Sequence, residues 1–186
     1  RFDSDFMAVE KVVKSGRLGK ISEVHFRFDR YRNEISPKGF KEKNVPGAGI
    51  FYDLGSHMID QAISLFGVPA EFHKTYGKYR ENTEVDDFAQ AHLKYPGGLN
   101  VYIICNMLVV KPQAAYVIHG SKGSLIKGRT DEQENQLNAG VKPNDVGYGV
   151  EKPNQEGYLY TLGSKGEVVE EILPAEAGNY RLLFDE

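Results

Sequence analysis

Apolar positions recur along this chain with two different periods, and the switches between them lay out its elements. Phe6, Val9, Val12 and Val13 stand at helical spacing within residues 3–14, with Asp3 or Ser4 placed as N-cap and Gly16 as stop, so a helix is expected there. From residue 21 to 31 the period falls to two. Ile21, Glu23, His25, Arg27 and Asp29 lie on one side and Val24, Phe26 and Phe28 opposite, the pattern of a long strand. Residues 33–49 are rich in Pro, Gly and Lys and carry no period, which predicts a long loop of the kind that often serves function. The helical period returns over residues 51–66 and is closed by Gly67 and Pro69. At about 100° per residue, Leu54, Met58, Ala62, Leu65 and Phe66 share a core face, while Asp53, His57, Asp60 and Ser64 form a polar stripe.

Four segments with strand character follow, at residues 72–79, 88–95, 99–107 and 114–119, the second and third joined by a Pro96-Gly97-Gly98 turn. Such short connections predict mostly antiparallel pairing. Residues 130–138 fit a short polar helix and 142–155 a loop. Residues 157–162 and 168–173 fit strands flanking a Gly163-Ser164-Lys165-Gly166 turn, and 179–186 begin another helical pattern. The order predicts an α+β fold, a mainly antiparallel open sheet with helices on one face.

Composition narrows the class. A chain of 186 residues with 40% apolar and 26% charged positions, including 10 Phe and 11 Tyr, is that of a globular domain. No run approaches the roughly 18 apolar residues of a membrane helix, and no signal-peptide pattern opens the chain, so no membrane partner is expected. A net charge of −3 offers no field for nucleic acid. The lone Cys105 reads as a small buried apolar residue, and with no second cysteine the reducing cytoplasm is the expected compartment. The chain opens at Arg1 in an already helical pattern, which leads to the expectation of a fragment.

The candidate chemistry lies in residues 47–60, Gly-Ala-Gly-Ile-Phe-Tyr-Asp-Leu-Gly-Ser-His-Met-Ile-Asp. Asp53 and His57, four apart, lie one above the other near the start of a helix. An imidazole that titrates near neutrality can take the proton of a substrate hydroxyl, while a carboxylate orients that hydroxyl or stabilises the imidazolium. Gly55 falls on the apolar side, where it permits close approach of a neighbour. Two blander readings stay open on spacing alone. One is a solvated stripe with Asp53 favoured by the helix dipole, the other a metal site drawn from Asp53, His57 and Asp60, though no second His cluster joins it. His25, His73, His92 and His119 fall on separate predicted strands and read as surface or sheet-face residues.

The pattern Gly-x-Gly-x-x-x-Asp-x-Gly-x-His-x-x-Asp, followed by an apolar helix ending Leu65-Phe66-Gly67-Val68-Pro69, resembles the C-terminal domain of the Gfo/Idh/MocA oxidoreductases, NAD(P)-dependent dehydrogenases of sugars, inositols and related compounds. Residues 1–6, 15–21, 28–32 and 119–127 agree in order, so the resemblance spans nearly the whole chain. It is strongest to the branch that contains NADP-dependent scyllo-inositol dehydrogenase. The resemblance implies that Asp53 and His57 are the catalytic pair, working with a Lys on a separate cofactor-binding domain, and that Asp60 is structural. Arg30 and Tyr31, which end a strand before the long loop, could reach a polyol; a surface Arg-Tyr pair is the alternative. Exposed aromatics on strands, such as Tyr76 and Tyr102, are expected on a sheet face used for homo-oligomerisation, as the family uses the open face of its sheet.

A dinucleotide site needs a Gly-rich turn between a strand and a helix, and none occurs here. Gly47-Ala48-Gly49, Gly120-Ser121-Lys122-Gly123 and Gly147-Tyr148-Gly149 all have the wrong spacing or setting. Glu151-Lys152-Pro153 repeats the tripeptide that carries the family's Lys, but in a loop of the wrong domain. The expectation is therefore that residues 1–186 are a substrate-binding and oligomerisation domain cut at both ends, that NADP or NAD belongs to the full-length parent, and that the isolated chain is inactive. Its rivals are a non-catalytic binding or assembly module and a metal-dependent sugar-modifying enzyme.

Overall fold

The structure is a computed structural model that describes residues 1–36, 39–174 and 177–184. The chain divides into two compact units, a contiguous one, Ser22–Ala115, and a split one, Arg1–Ile21 with Tyr116–Glu186. Its strands pair mainly antiparallel and its helices cover one sheet face in each unit, the α+β architecture that the alternating periods predict.

The contiguous unit contains β1 (Ile21–Asp29) from its second residue, α2 (Ser56–Phe66), β2 (Glu71–Gly77), β3 (Phe88–Lys94) and β4 (Asn100–Asn106), with strand order β2-β3-β4-β1. β2, β3 and β4 pair antiparallel, β3 and β4 across a short turn and β2 and β3 across residues 78–87, whereas β1 runs parallel to β4, with Val24 beside Val101 and Phe26 beside Ile103. Between β1 and β4 lie the long loop, a helix and two strands, ample for the crossover a parallel pair needs. Strict alternation buries Val24, Phe26, Ala89, Ala91, Leu93, Val101, Ile103 and Cys105 on one face, against Leu54, Met58 and Ala62 from the helix. Burying such side chains, at about 1.5–3 kcal/mol for each large one, is what holds the helix to the sheet.

The opposite face carries polar and aromatic residues. Register places His73 beside His92, His92 beside Tyr102 and Tyr102 beside His25, one row across four strands. The Tyr102 ring stacks on His92 at 4.5 Å and on His25 at 5.0 Å between centroids. Tyr76 is not on this face. It points to the helix side, where its ring meets Phe51 edge-on at 5.4 Å, so the two tyrosines grouped by the sequence pattern lie on opposite faces.

The split unit contains α1 (Ser4–Lys14), β5 (Tyr116–Gly120), β6 (Gly123–Lys127), α3 (Glu132–Asn138), β7 (Gly157–Leu162) and β8 (Val168–Leu173), with antiparallel strand order β5-β6-β7-β8. The five-residue β6 is absent from the sequence reading, because it begins at a glycine and its Lys127 breaks the apolar period. Lys127 is nevertheless buried, its ammonium 2.8 Å from Glu151. Glu151 also accepts from Ser4 at 2.8 Å, and Asp5 accepts the Thr130 N–H at 3.0 Å. Glu151 of the Glu-Lys-Pro triplet is thus a structural partner of buried polar groups. The terminal helical pattern is a 3₁₀ turn, Tyr180–Phe184, and its last two residues lie outside the described ones.

Candidate active site

The helix of residues 51–66 does not begin as an α-helix. Phe51–Gly55 form a π-helical turn that continues directly into α2. A π-turn holds more residues than an α-turn, so the phase between Asp53 and His57 departs from ideal α spacing, and single π-turns inside helices are frequent at functional sites. The polar stripe survives this change. Asp53, His57, Asp60 and Ser64 are all exposed while Leu54, Met58 and Ala62 are buried. Gly55 makes close approach possible within its own helix, since a Cβ there would lie 2.8 Å from the Phe51 ring.

The loop preceding this turn explains the Gly-x-Gly spacing. Gly47 and Gly49 have φ of +85° and +94°, and a Cβ on Gly49 would fall 2.1 Å from the Asp86 carboxylate. That carboxylate accepts the Phe51 N–H at 2.9 Å, and the Asp86 carbonyl accepts the Ile50 N–H at 3.0 Å. Asp86 therefore satisfies donors at the start of the turn and puts negative charge at its positive end. Glycine at 49 is what lets it come so close.

A charged side chain that sequence spacing did not single out joins the pair. Lys41, at the end of a 3₁₀ turn (Gly39–Lys41), donates from Nζ to Asp53 Oδ1 at 2.6 Å. Its neighbour Glu42 is buried and receives Arg80, Nη2 to Oε2 at 2.8 Å and Nη1 to Oε1 at 3.3 Å. Arg80 also donates to the Glu34 carbonyl at 3.2 Å and to Asp87 Oδ2 at 3.3 Å, and Glu42 accepts the Ser36 N–H at 3.0 Å. Asp87 accepts the backbone N–H groups of Tyr79 and Arg80. These are charge-assisted bonds among buried groups, the strong kind. They pin the loop that was predicted to be functional, apart from Pro37 and Lys38, which lie outside the described residues.

Arg30 and Tyr31 make contacts of their own. The Arg30 guanidinium stacks over the Phe28 ring at 4.7 Å, and Tyr31, 60% exposed, bridges to Leu108. Among the described residues no hydrogen bond or ring contact joins either of them to Asp53 or His57. A cavity of about 600 Å³ opens beside the helix start, between Val45, Pro46, Tyr52, Lys74, Tyr76 and Asp86. Asp53 and His57 do not line it, so the chemistry of the pair faces outward from this unit rather than into that cavity.

The glycines of the Gly120–Gly123 turn serve close packing of the chain's own backbone. A Cβ at Gly120 would lie 2.2 Å from the Leu18 carbonyl oxygen, and one at Gly123 would lie 2.5 Å from that of Tyr160. These turns do not fit a dinucleotide cradle, which needs glycines opening a helix after a strand. Among the described residues no three His, Cys, Asp or Glu side chains gather as a metal site. Where the metal alternative would draw on Asp53, that carboxylate takes Lys41.

Comparison with known proteins places this α+β domain in the oxidoreductase class. An uncharacterised oxidoreductase of Schizosaccharomyces pombe is 35% identical over 100% of this chain and 54% of its own length. The NADP-dependent scyllo-inositol 2-dehydrogenase of Bacillus subtilis is 36% identical over 99% of this chain and 51% of its own. The crystal structure of an oxidoreductase from Bacillus cereus superposes with a TM-score of 0.89 at 33% identity, covering 99% of this chain and 61% of that one. The C-terminal domain model of the GFO/IDH/MocA family matches residues 6–126, and the chain belongs to that family. It spans about half the length of the curated relatives it matches.

Proposed function

We propose that this chain is the substrate-side domain of an NAD(P)-dependent dehydrogenase that oxidises a hydroxyl of an inositol or sugar. The observation that carries the proposal is the exposed Asp53–His57 pair at the head of a helix whose start is fixed by Asp86 and whose carboxylate is held by Lys41. In the forward direction His57 accepts the hydroxyl proton, and the oxygen of Asp53 not taken by Lys41 accepts a hydrogen bond that aligns the substrate. The nicotinamide, held by residues outside this chain, supplies the hydride acceptor. The Asp53 carboxylate offsets the imidazolium as it forms. The inositol class is favoured by the name of the Bacillus subtilis relative, and the choice of NADP or NAD belongs to the part of the protein that holds the cofactor. Arg30 and Tyr31, which follow the end of β1, remain proposed polyol contacts.

The same reading makes the isolated chain inactive and the protein a cytoplasmic homo-oligomer. The self-associating surface would be the open face of the contiguous unit, where the His73-His92-Tyr102-His25 row lies. The intact parent enzyme, assayed with NADP and with NAD against a panel of inositols and hexoses, is expected to reduce one cofactor with at least one polyol. No turnover across the panel with either cofactor would overturn the proposal.

A further inference from the structure

An ion pair as open as Lys41–Asp53, with side chains 41% and 43% exposed, is ordinarily loose, because two flexible side chains must be ordered in water for little Coulombic gain. Lys41 differs from such a residue in what stands next to it. Glu42 is buried and bound through both carboxylate oxygens by Arg80, which is itself buried and anchored on Asp87 and on the carbonyl of Glu34. The Ser36 N–H closes the loop onto the same carboxylate. The backbone at residue 41 is thus ordered by groups that never meet the substrate, and the lysine reaches Asp53 from a fixed base. A catalytic carboxylate on a water-exposed helix face gains most from such a hold, since a misplacement of about 1 Å can cost roughly 100-fold in rate.

We infer that Lys41 is a positioning residue for the Asp53 carboxylate and that the buried Arg80–Glu42–Asp87 cluster is what fixes it, presenting one oxygen of Asp53 to the ammonium and the other to the substrate hydroxyl. The inference rests on the dehydrogenase reading above and deepens it. It assigns to three buried residues and one half-exposed lysine a role in the reaction that a merely structural cluster would not have.

The test uses the intact parent enzyme and the polyol of the panel that it turns over fastest. Lys41→Met should lower kcat by about tenfold or more while KM moves by less than about threefold, because alignment and not ground-state binding is lost. Lys41→Arg, which keeps the cation on a long stem, should recover a large part of that loss. Glu42→Gln should reproduce the kcat-weighted loss with Lys41 still present, and Lys41→Met should keep the wild-type melting temperature, since it removes only a half-exposed group. An unchanged kcat in Lys41→Met, or a loss confined to KM, would overturn the inference while leaving the dehydrogenase reading intact, provided Asp53→Asn and His57→Ala lose turnover. Normal turnover in Asp53→Asn and His57→Ala would overturn the reading, and the inference with it.

Discussion

Each unit of this chain buries an ionic cluster, and the two clusters differ in where they lead. In the split unit Lys127 donates to Glu151 and to the Gln155 carbonyl, and Glu151 accepts from Ser4 and Thr130, so every partner is again part of the fold. In the contiguous unit Arg80, Glu42 and Asp87 are just as buried, but the residue next to Glu42 is Lys41, whose side chain leaves the interior and ends on Asp53. Buried ion pairs are weak evidence for stability as such, because desolvation offsets most of the Coulombic gain. What distinguishes the second cluster is that its rigidity is delivered to an exposed carboxylate. Similar interior chemistry closes on itself in one place and, on the proposed reading, supports a site in the other.

Substitutions can break that contrast. Arg80→Met and Lys127→Met should each lower stability by about 3–5 kcal/mol in chemical denaturation, because each leaves a buried carboxylate uncompensated. They should then part company in the intact enzyme, where Arg80→Met lowers kcat per folded molecule and Lys127→Met does not. Equal kcat values would erase the distinction. Gly49→Ala is expected to cost about 2–3 kcal/mol, since it forces a side chain into a φ of +94° and into the Asp86 carboxylate, and it should lower kcat as well by shifting the helix start.

The smallest effect belongs to the split unit. Burial, with Glu134 and Asp3 nearby, pushes Asp131 up to about 6 from its ordinary 3.8. A carboxyl whose pKa is raised in the folded state favours folding most when protonated, and that contribution is lost as pH rises from about 3.8 through 6. Asp131→Asn, which suits the left-handed backbone at φ +52°, should therefore raise stability at pH 7 by about 1 kcal/mol, allowing for solvent screening, and change little at pH 3. Denaturant midpoints at the two pH values would show it, and kcat should be untouched.

Much of this was legible in sequence because the governing physics is local. Helical and alternating periods announce α1, α2 and most strands, and the Asp53–His57 stripe survives the π-turn because its exposure depends on the apolar face beneath it. What stayed hidden depends on distant partners. β6 with its Lys127 went unpredicted because Glu151, the partner that lets the ammonium be buried, stands 24 residues on. Arg80 and Asp87 fell between two predicted strands with no role assigned, because their partner Glu42 stands 38 residues before Arg80. Lys41 was one of several lysines in an aperiodic loop, and only that cluster sets it apart. The Asp86-Asp87 doublet just before β3 was the one available signal, two adjacent carboxylates where an apolar strand begins.

The central claim is that the exposed imidazole of His57 takes the substrate proton beside a fixed Asp53. Single-turnover oxidation of the accepted polyol by the intact His57→Ala enzyme tests it most directly. Hydride transfer should slow by about 100-fold or more, as expected for loss of a general base, with polyol affinity little changed. Hydride transfer at the wild-type rate would contradict it.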